Sequence, residues 1–306
     1  MGPTAMSRVL VTGGAGFLGS HLCERLLADG HEVIAMDNQA SGRTENLEPI
    51  CYHDRFTYYE HDVTEFIHVS GELDWVMHLA SLASPVFYRE HPIKTLKVGA
   101  LGTHKTLGLA REKDAGYLFT STSEVYGDPK VHPQSESYNG NVNIRGKRGC
   151  YDEAKRFGET LTVAYHDRYE IDVRTVRIFN TYGPWMRPDD GRVVPTFVTQ
   201  ALADDPVTIY GDGTQTRSFC YVDDLVAGIR AVMDADGLAG DVVNLGNDDE
   251  ITINELAEII VDICDSDSEI THTSLPEDDP RRRQPDLSKA LRLLDWEPTV
   301  PLEHGL

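Results

Sequence analysis

Short apolar runs alternate along the chain with longer segments whose apolar residues recur at helical spacing. The apolar runs predict strands and the periodic segments predict helices. The predicted strands are 8–12, 32–36, 56–60, 74–79, 116–121 and 172–178, and the predicted helices between them are 17–29, 91–113 and 150–169. Strands separated by helices are typical of βαβ units. The sequence therefore predicts an α/β fold with a doubly wound parallel sheet.

The pattern becomes shorter and more interrupted after residue 178, where prolines and an Asp-Asp-Gly-Arg turn appear. The predicted elements are an amphipathic helix at 195–203, a strand at 207–210, a helix at 223–234, a last main-sheet strand at 241–245, and helices at 252–264 and 287–294. No linker or repeat separates the two parts. We therefore expect a larger domain from 1–179 and 219–248, interwoven with a smaller α/β domain from 180–218 and 249–306.

The first strand leads into a glycine pattern, Gly13, Gly16 and Gly19, that opens the first helix. In this pattern the first glycine permits a tight turn, the second admits a pyrophosphate, and the third lets helix and strand pack closely. Asp37 ends the second predicted strand, where an acid binds a ribose hydroxyl. A glycine-rich surface loop would leave the apolar runs and Asp37 unexplained. We expect a dinucleotide site, and the acid favours NAD over NADP because it repels a 2′-phosphate.

Charge and cysteine content narrow the classes of function. The 306 residues carry a net charge of −22, spread along the chain, which argues against binding nucleic acid or an anionic membrane. A high-salt cytoplasm would screen this charge, and an acidic mesophilic protein is the alternative. Five scattered cysteines indicate reduced thiols. No metal site, leader or run of ~20 apolar residues is recognisable, so we expect a cytoplasmic protein.

Candidate chemistry gathers at the ends of the predicted strands, outside which ligands bind in such sheets. The strand at 116–121 leads into Thr122, Ser123 and Glu124. Asp62 follows the third strand, where it could contact an adenine edge or simply be a solvated loop acid. The 128–149 segment is rich in turn-forming residues and is expected to be a loop covering this edge of the sheet.

Tyr151 and Lys155 lie four residues apart at the start of a predicted helix, and hence on one face. A lysine ammonium beside a phenol favours phenolate, so Tyr151 is a candidate base with a lowered pKa. A Tyr-x3-Lys pair alone also occurs by chance on helix surfaces. Its position after Glu124, in a chain with a dinucleotide pattern, favours the catalytic interpretation.

Arginines at 192, 217 and 281–283 lie in the predicted smaller domain of an otherwise acidic chain. Guanidinium groups bind phosphate bidentately, so a diphosphate ligand would fit them. Ion pairing with neighbouring acids explains any single arginine equally well.

Several longer motifs are similar to those of the extended short-chain dehydrogenase/reductases that act on nucleotide sugars, and most closely resemble UDP-glucuronate decarboxylases. They are Ser-Pro-Val-Phe-Tyr (84–88), Ser-Thr-Ser-Glu-Val-Tyr-Gly-Asp-Pro (121–129), Cys-Tyr-Asp-Glu-Ala-Lys (150–155), Arg-Ile-Phe-Asn-Thr-Tyr-Gly-Pro (177–184), Asp-Gly-Arg-Val-Val (190–194), Gln-Thr-Arg-Ser-Phe-Cys-Tyr-Val (215–222) and Asp-Asp-Pro-Arg-Arg-Arg-Gln-Pro-Asp (278–286). The resemblance extends over essentially the whole chain.

The resemblance implies a set of site residues. The catalytic residues it implies are Thr122, Glu124, Tyr151 and Lys155. The implied NAD contacts are Gly13, Gly16, Phe17, Leu18, Gly19, Asp37, Asn38, Asp62, Val63, Leu79, Ala80, Tyr151 and Lys155. The implied contacts to the UDP-sugar are Ser84, Pro85, Tyr88, Ser123, Asn180, Arg192, Tyr210, Arg217 and Arg283.

The reaction that the resemblance implies is decarboxylation of UDP-glucuronate to UDP-xylose through a transient C4 ketone, with NAD recycled in place. A C4 epimerase or a 4,6-dehydratase is the alternative, and a non-catalytic NAD-binding protein is a third. A dehydratase of this family places an acid between the Thr and Glu positions to protonate the departing water, and Ser123 is a poor donor for that task.

The chain departs from the related patterns at three places. An asparagine that braces the active-site helix is replaced by Gly99, Trp185 stands where relatives often have arginine, and 144–149 differs from the usual Pro-Ile-Gly-Pro-Arg-Ser. Relatives continue past residue 306, which raises the hypothesis of truncation.

The resemblance implies a homodimer formed by helices near 95–112 and 150–168. Their apolar stripes (Leu101, Leu107, Leu109, Leu161, Ala164, Tyr165) are equally compatible with core packing.

Overall fold

The computed structural model describes residues 6–274 and 282–306. Its strands are β1 (Arg8–Thr12), β2 (Glu32–Asp37), β3 (Phe56–Glu60), β4 (Trp75–His78), β5 (Gly116–Thr122), β6 (Val173–Ile178), β7 (Thr181–Tyr182), β8 (Val207–Tyr210), β9 (Thr216–Ser218), β10 (Cys220–Tyr221), β11 (Val242–Leu245), β12 (Glu250–Thr252) and β13 (Ile270–Thr273). Its helices are α1 (Phe17–Ala28), α2 (Pro85–Glu90), α3 (Pro92–Lys97), α4 (Thr103–Lys113), α5 (Gly149–Tyr169), α6 (Val193–Leu202), α7 (Val222–Asp234), α8 (Ile253–Ile263), α9 (Ser288–Leu294) and α10 (Leu302–Gly305).

The main sheet has seven strands in the order β11-β6-β5-β4-β1-β2-β3, and every neighbouring pair is parallel. The chain order reverses between β1 and β4. In an open parallel sheet the crevice at this switch point, beyond the carboxyl ends of the strands, is where ligands bind. The predicted α/β fold with a doubly wound parallel sheet is confirmed.

The central strands are buried on both faces, which is why they appear in the sequence as nearly continuous apolar runs. Val9, Leu10 and Val11 of β1 are all 0% exposed. Val9 and Val11 belong to one apolar cluster and Leu10 to a second, as alternation along a strand requires. The rigid sheet between the two clusters supports the loops at its carboxyl edge.

A smaller set of elements has an apolar core of its own. Short strand pairs β7–β10, β9–β12 and β8–β13 accompany helices α6 and α8. Side chains such as Phe197, Ile209 and Leu256 form this core. The predicted division placed helix α9 in the smaller domain. In the structure, Ala290 of α9 and the nearby Trp296 pack into a core cluster of the main sheet.

The structure departs from the predicted elements in two regions: between β4 and β5, and after β6, where the short elements β7, β9, β10, β12, β13 and α10 were not predicted. One helix was predicted at 91–113, whereas the chain forms α3, a π-helical turn over Val98–Gly102, and α4. Helix α2 was not predicted; Ser84 caps it by accepting a hydrogen bond from the Val86 N–H. Among the described helices, none combines the length and apolarity that a membrane span requires.

Candidate active site

The glycine turn after β1 is shaped by close backbone packing. Gly13 has φ +72°, and a Cβ on it would lie 2.8 Å from the Ala80 nitrogen. A Cβ on Gly19 would overlap the Gly13 carbonyl oxygen. Gly16 begins α1 without any side-chain cap, so the N–H groups of the first turn remain for a ligand. These features fit the pyrophosphate of a dinucleotide.

Asp37 lies at the end of β2 and faces the same cleft. Its carboxylate accepts hydrogen bonds from the Gln39 N–H at 2.8 Å and the Ala15 N–H at 3.1 Å. Burial raises the pKa of Asp37, and these two backbone donors oppose that rise. The side chain is therefore held in one orientation, as recognition of a ribose hydroxyl requires.

The cleft has a volume of about 570 Å³ and lies along the carboxyl edge of the main sheet, facing the smaller group of elements. All the implied site residues except Asp62 line it. The Asp62 carboxylate is instead bonded to the Asn38 side chain at 2.8 Å and to the Thr64 N–H at 2.9 Å. In this structure Asp62 orients Asn38, which itself lines the cleft.

Thr122, Tyr151 and Lys155 come together where β5 meets α5. The Thr122 side chain faces the Tyr151 phenol and lowers its pKa, and the Lys155 ammonium donates to the Thr120 carbonyl at 2.7 Å. Tyr151 is 6% and Lys155 5% exposed. The start of α5 is thus attached to β5 through Lys155, and the Tyr151 phenol faces the end of the same strand.

The predicted lowering of the Tyr151 pKa by Lys155 is not found in this geometry. Burial raises the pKa of Tyr151, and only the Thr122 hydrogen bond and the Arg192 charge oppose that rise to a notable degree. The Lys155 nitrogen lies 6.0 Å from the centre of the Tyr151 ring. Burial lowers the pKa of Lys155 to about 7, so its charge is itself partial near neutrality.

Glu124 is held between two arginines. Arg283 donates to both carboxylate oxygens, with Nη2 3.0 Å from Oε2, and the Arg148 Nη2 lies 2.5 Å from Oε2. Burial alone would raise the pKa of Glu124, but the two guanidinium groups lower it well below its ordinary value. Glu124 is therefore a fixed anion near neutrality. Of the predicted arginines, Arg281 lies outside the described residues.

The remaining implied substrate residues surround this centre. The Tyr88 ring stacks on Tyr151, with centroids 5.2 Å apart and an interplanar angle of 7°. Within the described residues the Tyr88 hydroxyl is buried without a hydrogen-bond partner. Arg192 is paired with Asp190, at 2.5 Å. The others that line the cleft are Ser84, Pro85, Ser123, Asn180, Tyr210 and Arg217.

Among the cleft residues that were not predicted, Arg148 and Asp190 orient predicted charged residues. Arg148 precedes Tyr151 by one helical turn and forms a salt bridge with Glu124. Asp190 forms a salt bridge with Arg192 and orients it. Asp190 stood within the Asp-Gly-Arg motif and Arg148 within the divergent 144–149 segment. Both positions were visible in the sequence, but no local signal linked them to their partners.

Comparison with known proteins agrees with the fold. The model of the NAD dependent epimerase/dehydratase family matches residues 9–246, and the chain belongs to that family. Within it the chain belongs with the UDP-glucuronic acid decarboxylases. "UDP-glucuronic acid decarboxylase 6" of Arabidopsis thaliana is 51% identical over 98% of this chain and 86% of its own length. "UDP-glucuronic acid decarboxylase 1" of Xenopus tropicalis is also 51% identical, over 98% of this chain and 70% of its own length.

A solved structure of an epimerase shares the fold at lower identity. The UDP-glucuronic acid 4-epimerase from Bacillus cereus, in complex with UDP-glucuronic acid and NAD, has a TM-score of 0.86 and 29% identity, over 97% of this chain and 96% of that one. The resemblance seen in the sequence motifs is thus confirmed, as is NAD as the cofactor of the family.

Proposed function

We propose that this protein decarboxylates UDP-glucuronate to UDP-xylose. The observation that carries the proposal is Arg283, a buried cation in the cleft beside Glu124, whose Nε has no hydrogen-bond partner within the described residues. A buried donor without a partner is costly, and an anionic ligand group would satisfy it. The relatives named as UDP-glucuronic acid decarboxylases support a sugar carboxylate as that group.

When bound, NAD supplies the site that takes up a hydride from the sugar C4 and later returns it. The chain's own residues hold it at the glycine turn, at Asp37 and at Lys155, and they handle the protons. Tyr151 removes the proton of the C4 hydroxyl as a phenolate, and the positive charge of bound NAD would oppose the burial that raises the pKa of this phenol. Once C4 is a ketone, the C6 carboxylate departs as carbon dioxide because its electrons delocalise onto the ketone oxygen. Thr122 and Tyr151 then donate hydrogen bonds to that oxygen as charge develops there. Protonation of C5 and return of the hydride to C4, while Tyr151 gives its proton back to the C4 oxygen, complete UDP-xylose.

The buried Ser123 favours decarboxylation over dehydration. A 4,6-dehydratase must protonate a departing hydroxyl, whereas loss of carbon dioxide needs no acid at that stage. Glu124 is unsuited to donate this proton, because the two arginines keep it ionised. We assign Glu124 to positioning Arg283 and the sugar.

The C4 epimerase remains the second candidate, because the Bacillus cereus structure shares this fold and acts on UDP-glucuronic acid. The deciding experiment incubates the protein with UDP-glucuronate and analyses the gas and the nucleotide products. Carbon dioxide with a UDP-pentose supports the proposal. An isomer of unchanged mass without carbon dioxide would establish the epimerase instead.

We propose that the protein is a homodimer that uses the exposed face of α3, the π-turn and α5. Leu107 and Leu109 of the predicted stripe are buried in the subunit core, but Leu101 is 45% exposed. Ile93, Leu96, Phe157 and Val163 are also exposed on these adjacent segments. Burial of such apolar side chains favours association. Sedimentation should show a dimer that Phe157→Glu converts to a monomer; an unchanged dimer in this variant would rule out the face.

We further propose a cytoplasmic protein adapted to high salt, with 180–218 and most of 249–306 forming the nucleotide-sugar domain. All five cysteines are free, as expected in a reducing compartment. The net charge of −22 produces self-repulsion that salt screens. Melting temperature and activity should therefore rise between millimolar and molar potassium chloride. A fall in both would refute the salt adaptation.

A further inference from the structure

A π-helical turn over Val98–Gly102 interrupts the segment that the sequence predicted as one helix. A π-turn adds one residue to a helical turn and is found frequently at functional sites. This turn packs on α5, the helix that carries Tyr151 and Lys155. It also contains Gly99, where the sequence departs from related patterns.

The backbone of Gly99 lies directly against Ala154 of α5. A Cβ on Gly99 would lie 2.5 Å from the Ala154 Cβ and 3.0 Å from both its Cα and its carbonyl oxygen. The Ala154 methyl group is the closest of the three atoms and has no rotamer that moves it aside, so this overlap disappears only when that methyl group is removed. The two backbone atoms at 3.0 Å need to move by only a few tenths of an ångström. Gly99 is not among the glycines with positive φ. The requirement for glycine here is therefore spatial and not conformational.

Ala154 lies between the two candidate catalytic side chains, three residues after Tyr151 and directly before Lys155. The Tyr151 phenol reaches Thr122, and the Lys155 ammonium reaches the Thr120 carbonyl at 2.7 Å. Both contacts span the gap between α5 and β5. A displacement of Ala154 would move both groups relative to the strand.

We propose that Gly99 and Ala154 are positioning residues that share room for a single methyl group, and that this limit sets the distance of the α5 active-site turn from β5. The proposal deepens the proposed function and rests on it for the role of Tyr151. Direct helix contact at Gly99 takes the place of a bracing side chain.

The test compares the wild type with Gly99→Ala, Ala154→Gly and the double variant, with UDP-glucuronate as substrate. In Gly99→Ala, kcat should fall about a hundredfold, since a displacement of ~1 Å at a reacting group has that effect. KM should change far less, because the uridine diphosphate contacts lie on other elements. In the double variant the methyl group is carried by residue 99 and no longer by residue 154. Because substitutions of residues in contact are not additive, kcat should return to within about threefold of the wild type.

Gly108→Ala is the matched control. It lies in α4 of the same segment, and a Cβ there meets nothing within 4 Å. Its kcat should equal that of the wild type. A Gly99→Ala enzyme that is as active as this control, or a double variant that stays as slow as Gly99→Ala, overturns the proposal. If Gly99→Ala does not fold, a folded and active double variant supports the proposal and an unfolded or slow one refutes it.

Melting temperature and NAD affinity, measured calorimetrically on the same proteins without substrate, separate this proposal from the proposed function. Gly99→Ala should weaken NAD binding and lower the melting temperature, and the double variant should recover both. If the wild type releases no carbon dioxide, the proposed function fails; recovery of NAD affinity in the double variant then supports the positioning role, and no recovery refutes it.

Discussion

Replacing Tyr151 by phenylalanine removes one oxygen atom from the centre of the cleft and little else. The ring is 6% exposed and stacks on Tyr88, and phenylalanine keeps that stacking surface. The lost group is the hydroxyl that faces Thr122. The variant therefore isolates proton handling from packing.

Two magnitudes follow from this environment. Loss of the polar contact with Thr122 lowers the free energy of unfolding by at most about 1 kcal/mol. Loss of a positioned general base lowers kcat by about 10²–10⁴-fold. The affinity for UDP should hardly change, because Arg192 and Arg217 reach the cleft from other segments and keep their own partners.

The assay measures release of carbon dioxide and formation of UDP-pentose, with UDP binding followed by calorimetry. Tyr117→Phe is the matched control: its buried phenol bonds Thr106 at 2.8 Å, away from the residues that line the cleft. This control should lose similar stability and keep its turnover. Near-normal turnover in Tyr151→Phe, or an equal loss in Tyr117→Phe, would refute the assignment of Tyr151 as the base.

Three further predictions concern the cofactor and the charges of the cleft. Asp37→Ser should reduce the preference for NAD over NADP at least about tenfold, because the repelling carboxylate is lost; an unchanged ratio of the two affinities would contradict that role. The folded-state pKa of Lys155 lies near 7, below its ordinary value of 10.5. Burial of the charged ammonium therefore lowers the free energy of unfolding by its full amount below pH 7, and this loss disappears as the pH rises toward 10.5. Relative to Lys155→Met, the wild type should therefore gain melting temperature between pH 7 and pH 10, and a difference that stays constant would contradict the low pKa. Arg148→Gln should cost about 2 kcal/mol of stability, since Glu124 loses one charged hydrogen bond. The pKa of Glu124 rises toward its ordinary value of 4.5 in this variant, so the stability lost on acidification below that pH should be smaller, and the loss should end at higher pH, than in the wild type. The exposed Arg145→Gln is the control, and equal acid profiles in Arg148→Gln and the wild type would exclude the contact.

The fold was largely predictable because its signals are local. The strand predicted at 8–12 and the helix predicted at 150–169 agree with β1 and α5 to within one residue. The apolar run of β1 and the periodic face of α5 each encode burial within a few residues of chain. The predicted helix at 91–113 was wrong in detail, because no residue pattern within it indicates the π-turn. This turn packs against α5, which is distant in the sequence.

The charge state of the cleft was not predictable in the same way. Arg283 and Glu124 are 159 residues apart in the chain, yet they form a buried pair. The four-residue spacing of Tyr151 and Lys155 predicted that the ammonium acts on the phenol, whereas in the structure it points to the Thr120 carbonyl. A pKa depends on burial and on every nearby charge, and both come from distant segments.

The sequence by itself determined the parallel sheet, the glycine turn with its acid at Asp37, and the residues that carry the resemblance to nucleotide-sugar enzymes. Periodicity and motif spacing are properties of neighbouring residues, so they survive without coordinates. Only the tertiary structure decided that Arg148 and Arg283 hold Glu124 ionised, that Asp62 lies outside the cleft lining, and that Gly99 touches Ala154. These contacts depend on how separate elements approach each other. Packing sets the separation of the elements to within a few tenths of an ångström, and the pattern of residues along the chain does not record packing.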